Sequence, residues 1–132
     1  GLYPFINALK EFPTVMIGPK PLRGIKDVVN YQDFVEISTP NLHLEDGGIE
    51  RAVLGAINTA CRGVYLVSAG VSAAVIIDQL HDAIPDSWFI DCGSIWDAFV
   101  GIGGQRQWRA DLYANPDKWK KWKKDNLEGR KD

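Results

Sequence analysis

Two short stretches of small and polar residues have the side-chain types that phosphate and nucleotide recognition needs. They are Ser68-Ala69-Gly70 with Ser72 close behind, and Asp91 with Gly93 and Ser94. Small residues at a turn that opens a helix expose backbone N–H groups, which attract phosphate together with the positive end of the helix dipole. An aspartate at the end of a strand can accept hydrogen bonds from a ribose hydroxyl or a base. Both stretches are therefore candidate binding segments.

Both stretches also have structural explanations. The first is not the Gly-x-Gly-x-x-Gly fingerprint, since Val71 and Ala73 follow Gly70, and the chain has no Walker lysine. A tight packing turn explains it equally well. Asp91 can likewise cap the turn at Gly93, because aspartate side chains hydrogen-bond the backbone two residues further on. At the level of sequence these alternatives stay open.

Further candidates lie at two other turns. Gly18-Pro19-Lys20-Pro21 follows another apolar run, and Arg106 ends a glycine-rich loop that begins at Gly101. An arginine on such a loop could clamp a diphosphate through paired hydrogen bonds, while a solvated loop charge is the more common explanation. We include Gly18, Lys20 and Arg106 among the candidate binding residues.

The other reactive side chains form no motif of known chemistry. His43 and His81 are separated by a predicted helix and strand and lack the spacing of metal ligands. The Gly-x-Ser-x-Gly motif of a serine nucleophile is absent. Cys61 and Cys92 each lie beside a predicted buried element, where a small core residue is the usual role. The sequence therefore predicts no metal ligand and assigns no catalytic residue.

The elements that must position these residues alternate between strands and helices. Continuous apolar runs predict buried strands near residues 14–17, 33–37, 64–68 and 87–91. Helical spacing of apolar residues predicts helices over 2–12, 22–29, 49–60 and 71–82. Asp46 and Ser72 are expected to cap the last two of these helices. The apolar face of the 71–82 helix is expected to comprise Val71, Ala74, Val75, Ile77 and Leu80.

This alternation predicts an α/β fold, a Rossmann-like three-layer sandwich with a four-stranded parallel sheet over residues 1–107. Right-handed crossovers leave few arrangements, of which we expect the strand order 2-1-3-4. The turns at 18–20 and 68–72 would then face one crevice. A C-terminal helical tail over 108–132 is expected to pack on this domain through Trp119 and Trp122, with its lysines in water.

Charge and composition exclude several classes of protein. The net charge is −2, with +3 on residues 116–132, which leaves −5 for residues 1–115. Nucleic-acid binding is not expected, because it needs a strongly basic face. No apolar run approaches the roughly 20 residues of a membrane span. No leader opens the chain, and two isolated cysteines suit a reducing, cytoplasmic setting.

Four pieces of the chain resemble the carboxyl-terminal half of GT-D-type glycosyltransferases, bacterial enzymes that use a nucleotide-sugar donor. The pieces, in order, are Val15-Met-Ile-Gly-Pro with Leu22, Phe34-Val-Glu-Ile-Ser-Thr-Pro-Asn, Val64-Tyr-Leu-Val-Ser-Ala-Gly and Phe89-Ile-Asp-Cys-Gly-Ser-Ile-Trp-Asp. The resemblance implies a donor site made by the turns at 68–70 and 91–94. The family's acidic Asp-x-Glu metal motif belongs to its amino-terminal half, which would precede Leu2. Mn²⁺ or Mg²⁺ is therefore expected only together with that half.

The implied function is a nucleotide-sugar-binding domain of a glycosyltransferase, either a fragment of such an enzyme or a small relative without the metal-binding half. Two other interpretations stay open. One is a different Rossmann-like transferase with a nucleotide-like cofactor such as S-adenosylmethionine. The other is a non-catalytic interaction module.

Overall fold

The computed structural model describes residues 3–38 and 42–100, together with Asp117, Lys120, Lys121 and Lys124. The strands are β1 Thr14–Gly18, β2 Asp33–Glu36, β3 Val64–Val67 and β4 Trp88–Asp91. The α-helices are α1 Tyr3–Leu9, α2 Gly48–Asn58 and α3 Ala73–Ala83. Short 3₁₀ segments occupy Lys20–Asp27, Leu42–Leu44, Gly70–Ser72 and Asp97–Phe99.

The four strands form one parallel sheet in the order β2-β1-β3-β4. In its register Ile17 pairs with Val35 on one side and Val67 on the other, and Val67 pairs with Asp91. The predicted α/β, Rossmann-like sheet with order 2-1-3-4 is therefore confirmed. Because the chain leaves β1 toward β2 and leaves β3 toward β4, the connections diverge at the carboxyl ends of β1 and β3.

Alternating residues of the two central strands build two separate cores. Ile17 and Val67 belong to the core that lies under α2 and α3. Met16 and Leu66 point to the opposite face, where α1 and the Lys20–Asp27 segment pack. Both strands are buried along their whole length. Two apolar faces per strand explain why β1 and β3 read as unbroken apolar runs.

The outer strands β2 and β4 are less buried than predicted. Both have exposed ends and half-buried middles. The prediction of a fully buried strand around Trp88 is wrong, since that side chain is 70% exposed. Each of these strands pairs on one side only among the described residues, so one margin of it meets solvent.

The first two predicted helices differ from the observed ones. The first ends at Leu9 rather than at residue 12, and Phe12 is 52% exposed. The second is a 3₁₀ helix over Lys20–Asp27, with Pro21 in its first turn and Gly24 in its middle. Glycine disfavours a regular α-helix by about 1 kcal/mol. Both segments still bury one apolar side, which covers the core that contains Met16 and Leu66.

The capping residues were predicted wrongly, and the apolar face of α3 was predicted only in part, since Leu80 is buried and Ile77 half-buried as expected. Gly47, with φ +69°, occupies the cap position of α2 in place of Asp46, and neither α2 nor α3 has a side-chain cap bond. Ser72 precedes α3 without capping it. The residues that α3 buries are Ala73, Ile76 and Leu80, whereas the predicted Val71, Ala74 and Val75 are exposed. The 3₁₀ turn at Gly70–Ser72 rotates the start of α3 and so changes which of its residues face the sheet.

The predicted docking of Trp119 and Trp122, and the boundary at residue 107, lie outside the described residues. Asp117, Lys120, Lys121 and Lys124 are helical and exposed. In the part of the chain that the structure describes, no helix is long and apolar enough to cross a membrane.

Candidate functional site

The carboxyl ends of β1, β3 and β4 lie side by side. The Ser68 N–H donates to the Ile17 carbonyl at 2.8 Å, and the Cys92 N–H donates to the Val67 carbonyl at 2.8 Å. These bonds continue the sheet one residue past the strands. They bring the 18–20, 68–72 and 91–94 turns to one edge, which we call the carboxyl edge.

Gly18 lets the Leu22 side chain pack closely against the end of β1 at this edge. A Cβ atom on Gly18 would lie 2.7 Å from Leu22 Cδ1 and 3.6 Å from both Ser68 Cβ and the Ser68 carbonyl oxygen. The close neighbour is thus a side chain of the 3₁₀ segment, and the distances to Ser68 are those of ordinary contacts. Gly18 is itself buried, so it contributes to the packing beneath the edge.

Two serine hydroxyls at the carboxyl edge are buried without hydrogen-bond partners among the described residues. Ser68 is 5% exposed and Ser72 is 1% exposed, and neither Oγ has a donor or acceptor within reach. A buried polar group without a partner costs about 1–3 kcal/mol. Most buried polar groups in native proteins have a hydrogen-bond partner, so two exceptions four residues apart need an explanation.

The turn between these serines depends on Gly70. Its φ of +56° lies in the left-handed region, which residues with a Cβ rarely adopt. Gly70 is exposed, and the adjoining Ala69 is fully buried. The turn therefore holds the chain close to the sheet while presenting its backbone to solvent at the start of α3. No side chain among the described residues caps this end.

Asp91 caps the turn that follows β4. Its Oδ1 accepts a hydrogen bond from the Gly93 N–H at 3.0 Å, and Gly93 has φ +54°. The capping role that the sequence left open is thus present. Asp91 is also exposed, so its carboxylate reaches solvent while it holds the turn. Gly93 and Ser94 are exposed beside it.

Trp96 anchors this turn to the domain. Its side chain is fully buried and contacts the Phe5 ring at 6.2 Å and the Phe99 ring at 5.9 Å between centroids. Sequence reasoning did not single out Trp96, although a large aromatic residue just after a polar turn is a recognisable anchor. Trp96 thus holds residues 94–99 against α1, while the pairing of Asp91 with Val67 fixes the end of β4.

The Cys92 thiol is shielded between Trp96 and the sheet. Burial raises the pKa of Cys92 from its ordinary 9.0 to about 11, with the charge of Asp91 acting in the same direction. The neighbouring Trp96 indole acts in the opposite direction and lowers the pKa of Cys92. Because the folded protein holds this proton more tightly than the unfolded chain, Cys92 is a neutral thiol at physiological pH and a poor nucleophile.

We expect the stabilisation from neutral Cys92 to be complete below pH 9 and to disappear as the pH rises toward 11. The raised folded-state pKa means that the unfolded chain loses its proton first, so unfolding becomes easier over this interval. The difference in unfolding free energy between the wild type and Cys92→Ala, measured at several pH values, should shrink from pH 8 to 11. A constant difference would contradict the burial of the thiol.

Of the two remaining candidates, the structure describes only Lys20. Lys20 is exposed at the start of its 3₁₀ segment, and Arg106 lies outside the described residues. No group of three His, Cys, Asp or Glu that could hold a metal ion occurs in ranges 3–38 and 42–100. A cavity of about 240 Å³, lined in part by Leu9, Thr14 and Lys26, lies at the opposite edge of the sheet and contains none of the candidates.

Comparison with protein-family models, curated proteins and solved structures finds no match for this chain. The fold by itself defines an α/β domain of the Rossmann-like class. Since one fold hosts many activities, the function has to be argued from the carboxyl edge.

Proposed function

We propose that this chain is a nucleotide-sugar-binding domain of a glycosyltransferase, and that the carboxyl edge binds the diphosphate of the donor. The main support is the pair of buried hydroxyls on Ser68 and Ser72, which lack partners beside the divergence of β1 and β3. A phosphate oxygen near this turn would give them the acceptor that the described residues do not supply. Ligands of open α/β sheets bind at such a divergence point.

The surrounding groups suit the parts of a nucleotide-sugar. The start of α3 has no side-chain cap, and its positive dipole end favours a phosphate. The Ser72 and Ala73 N–H groups already donate to the Ala69 and Gly70 carbonyls, so a phosphate would meet the N–H groups that precede them in the turn. Lys20 adds a positive charge at the end of β1, and Asp91 offers a carboxylate for a ribose hydroxyl. In glycosyl transfer these contacts would hold the nucleoside diphosphate as it leaves the sugar. The divalent cation would come with the Asp-x-Glu half of such an enzyme.

We expect the protein to bind uridine or guanosine diphosphate weakly, at high micromolar concentration or above, and Ser68→Ala to raise the Kd about 3- to 10-fold. A hydrogen bond with a net contribution of about 0.7–1.4 kcal/mol corresponds to that factor. The same substitution should leave the unfolding free energy unchanged or raise it by up to about 1 kcal/mol, since it removes an unsatisfied hydroxyl. Ligand-observed NMR and urea unfolding measure the two effects.

Ser87→Ala is the matched control. The Ser87 hydroxyl is also buried without a partner among the described residues, but it precedes the amino end of β4. Its removal should affect stability as Ser68→Ala does and leave nucleotide affinity unchanged. Gly70→Val is a poorer test, because the left-handed φ of Gly70 would make the variant misfold locally.

The same titrations separate the alternative functions. Tighter binding of S-adenosylmethionine than of either diphosphate would favour a different Rossmann-like transferase. Binding of none of the three up to millimolar concentration would favour a non-catalytic module. A marked loss of stability in Ser68→Ala would show that this hydroxyl has a structural partner, and would remove the main support for the donor site.

A further inference from the structure

β3, α3 and β4 form a βαβ unit whose parts have the order of a mononucleotide-binding unit. The turn after β3 opens α3, and β4 returns beside β3 in the sheet. Asp91 ends β4 and follows Gly70 by about 20 residues, the interval at which an acidic residue of such a unit binds a ribose hydroxyl. The similarity is one of position, since the Gly-x-Gly-x-x-Gly fingerprint is absent.

The Asp91 side chain leaves the sheet on the face that α3 covers. Side chains at alternate positions of a strand share a face, and Asp91 lies two residues after Phe89, which packs against the core under α2 and α3. The backbone of Asp91 pairs with that of Val67, directly before the turn that carries Ser68 and Ser72. The carboxylate therefore lies next to the start of α3, one strand away from that turn.

The two carboxylate oxygens of Asp91 have different surroundings. Oδ1 accepts the hydrogen bond from the Gly93 N–H at 3.0 Å, whereas Oδ2 has no hydrogen bond or ion pair within ranges 3–38 and 42–100. Asp91 is exposed, so Oδ2 faces solvent. Because the bond to Gly93 already holds the side chain, Oδ2 can accept a hydrogen bond from a ligand hydroxyl at little further cost in side-chain entropy.

The charged residues at the carboxyl ends of the four strands give a bound donor a direction. Lys20 is exposed just after β1, and Asp91 is exposed at the end of β4. Glu36, which ends β2, pairs with Arg23 at 3.0 Å, and β3 ends without a charged residue. A diphosphate is attracted by Lys20 and repelled by Asp91. It should therefore lie over the turn after β3 and extend toward β1 rather than toward β4.

We infer that the donor crosses the carboxyl edge in one direction, with its ribose over β4 and its sugar over β1, and that Asp91 selects ribose over deoxyribose. This assignment rests on the proposed donor site. Asp91 Oδ2 accepts a hydrogen bond from the ribose 2′-hydroxyl, while the diphosphate meets the Ser68 and Ser72 hydroxyls. The sugar then lies beside Lys20, where the connections of β1 and β3 diverge.

Comparison of a nucleoside diphosphate with its 2′-deoxy form tests the role of Asp91. Of uridine and guanosine diphosphate, the tighter ligand should bind the full chain about 3- to 10-fold more tightly than its deoxy form, since the latter loses one hydrogen bond. In Asp91→Asn this ratio should fall below about 2-fold, because the amide keeps an acceptor for the Gly93 N–H and replaces the free oxygen by a donor. Ligand-observed NMR titrations measure the four Kd values.

Two variants serve as controls for this ratio. Asp86→Asn removes the same charge from an exposed residue before the amino end of β4, and should leave the ratio at its wild-type value. Ser68→Ala should weaken the ribose and deoxyribose forms by the same factor, since its hydroxyl meets the phosphate and not the ribose. The Gly93 amide signal in ¹⁵N-resolved NMR shows whether Asp91→Asn keeps the turn after β4.

The direction of the donor is tested by adding the sugar. Spectra of the ¹⁵N-labelled chain are compared between the nucleoside diphosphate and the matching nucleoside diphosphate glucose, both at saturation. The diphosphate itself should shift the amide signals of Gly93 and Ser94. The added glucose should shift those of Gly18 and Lys20 and leave Gly93 and Ser94 where the diphosphate placed them.

The outcomes separate this inference from the proposed function. Equal Kd values for the ribose and deoxyribose forms, or a ratio that Asp91→Asn leaves unchanged, would overturn the role of Asp91 while the donor site stands. Glucose-dependent shifts at Gly93 and Ser94, or their absence at Gly18 and Lys20, would overturn the direction. Binding of neither diphosphate up to millimolar concentration would remove the proposed function itself, and the direction with it.

Discussion

Replacing Trp96 with alanine is expected to lower the free energy of unfolding by about 3–5 kcal/mol, the usual cost of truncating a fully buried tryptophan. The indole is inaccessible to solvent and contacts Phe5 of α1 and Phe99 of the last 3₁₀ segment. Its loss would leave a cavity where three parts of the chain meet. Since small domains are stable by only about 5–15 kcal/mol, urea unfolding should show a large shift in midpoint.

Trp88→Ala is the matched control for this measurement. It removes the same atoms from a side chain that is 70% exposed, so its cost should stay below about 1 kcal/mol. Trp96→Phe should fall between the two, because it keeps an aromatic ring and removes an N–H that has no full hydrogen bond. Equal costs for Trp96→Ala and Trp88→Ala would show that residues 94–99 do not anchor the carboxyl edge.

Replacing Gly63 with alanine is expected to cost about 2–3 kcal/mol, the upper part of the range for overpacking. A Cβ atom at Gly63 would overlap the carbonyl oxygen of Pro13. That oxygen accepts a hydrogen bond from the Val64 N–H at 2.8 Å, and the Gly63 carbonyl accepts one from the Trp88 N–H at 2.8 Å. Relief of the clash would therefore disturb the starts of β1, β3 and β4 together.

Gly24→Ala provides the comparison. A Cβ at Gly24 would meet only Val100 Cγ1, at 3.6 Å, which is an ordinary contact. We expect a change within about 0.5 kcal/mol, or a slight gain from the lower entropy of the unfolded chain. Thermal unfolding of both variants by circular dichroism checks the pair. If Gly63→Ala cost no more stability than Gly24→Ala, the result would contradict the close approach of β1 and β3 at Pro13.

The central strands and the strand order could be predicted from the sequence, because residues with both faces buried leave an unbroken apolar run in β1 and β3. The sequence alone does not distinguish the outer strands from the central ones, since the exposure of Trp88 depends on its place at the margin of the sheet. The face of α3 was misassigned in part for a similar reason. The 3₁₀ turn that begins at the left-handed Gly70 determines which residues of α3 face the sheet. The spacing of apolar residues alone does not reveal this orientation.

The candidate site was predictable in outline only. Small residues after apolar runs indicated which turns meet at the carboxyl edge, and the parallel sheet brings Gly18 and Ser68 together there. The burial of the Ser68 and Ser72 hydroxyls without partners is a property of the packed state, which residue types do not reveal. The role of Trp96 likewise depends on α1, which is distant in sequence.

The short, charged outer strands also bear on aggregation. Exposed strand margins are templates on which identical chains can stack, and short length and charged residues are the usual protection. Both β2 and β4 have only four residues, β2 begins with Asp33 and ends with Glu36, and β4 ends with Asp91. Identical chains would therefore bring like charges together along either margin. We expect the folded domain to resist edge-to-edge pairing at low ionic strength and to lose part of this protection at high salt, where repulsion between exposed charges is screened.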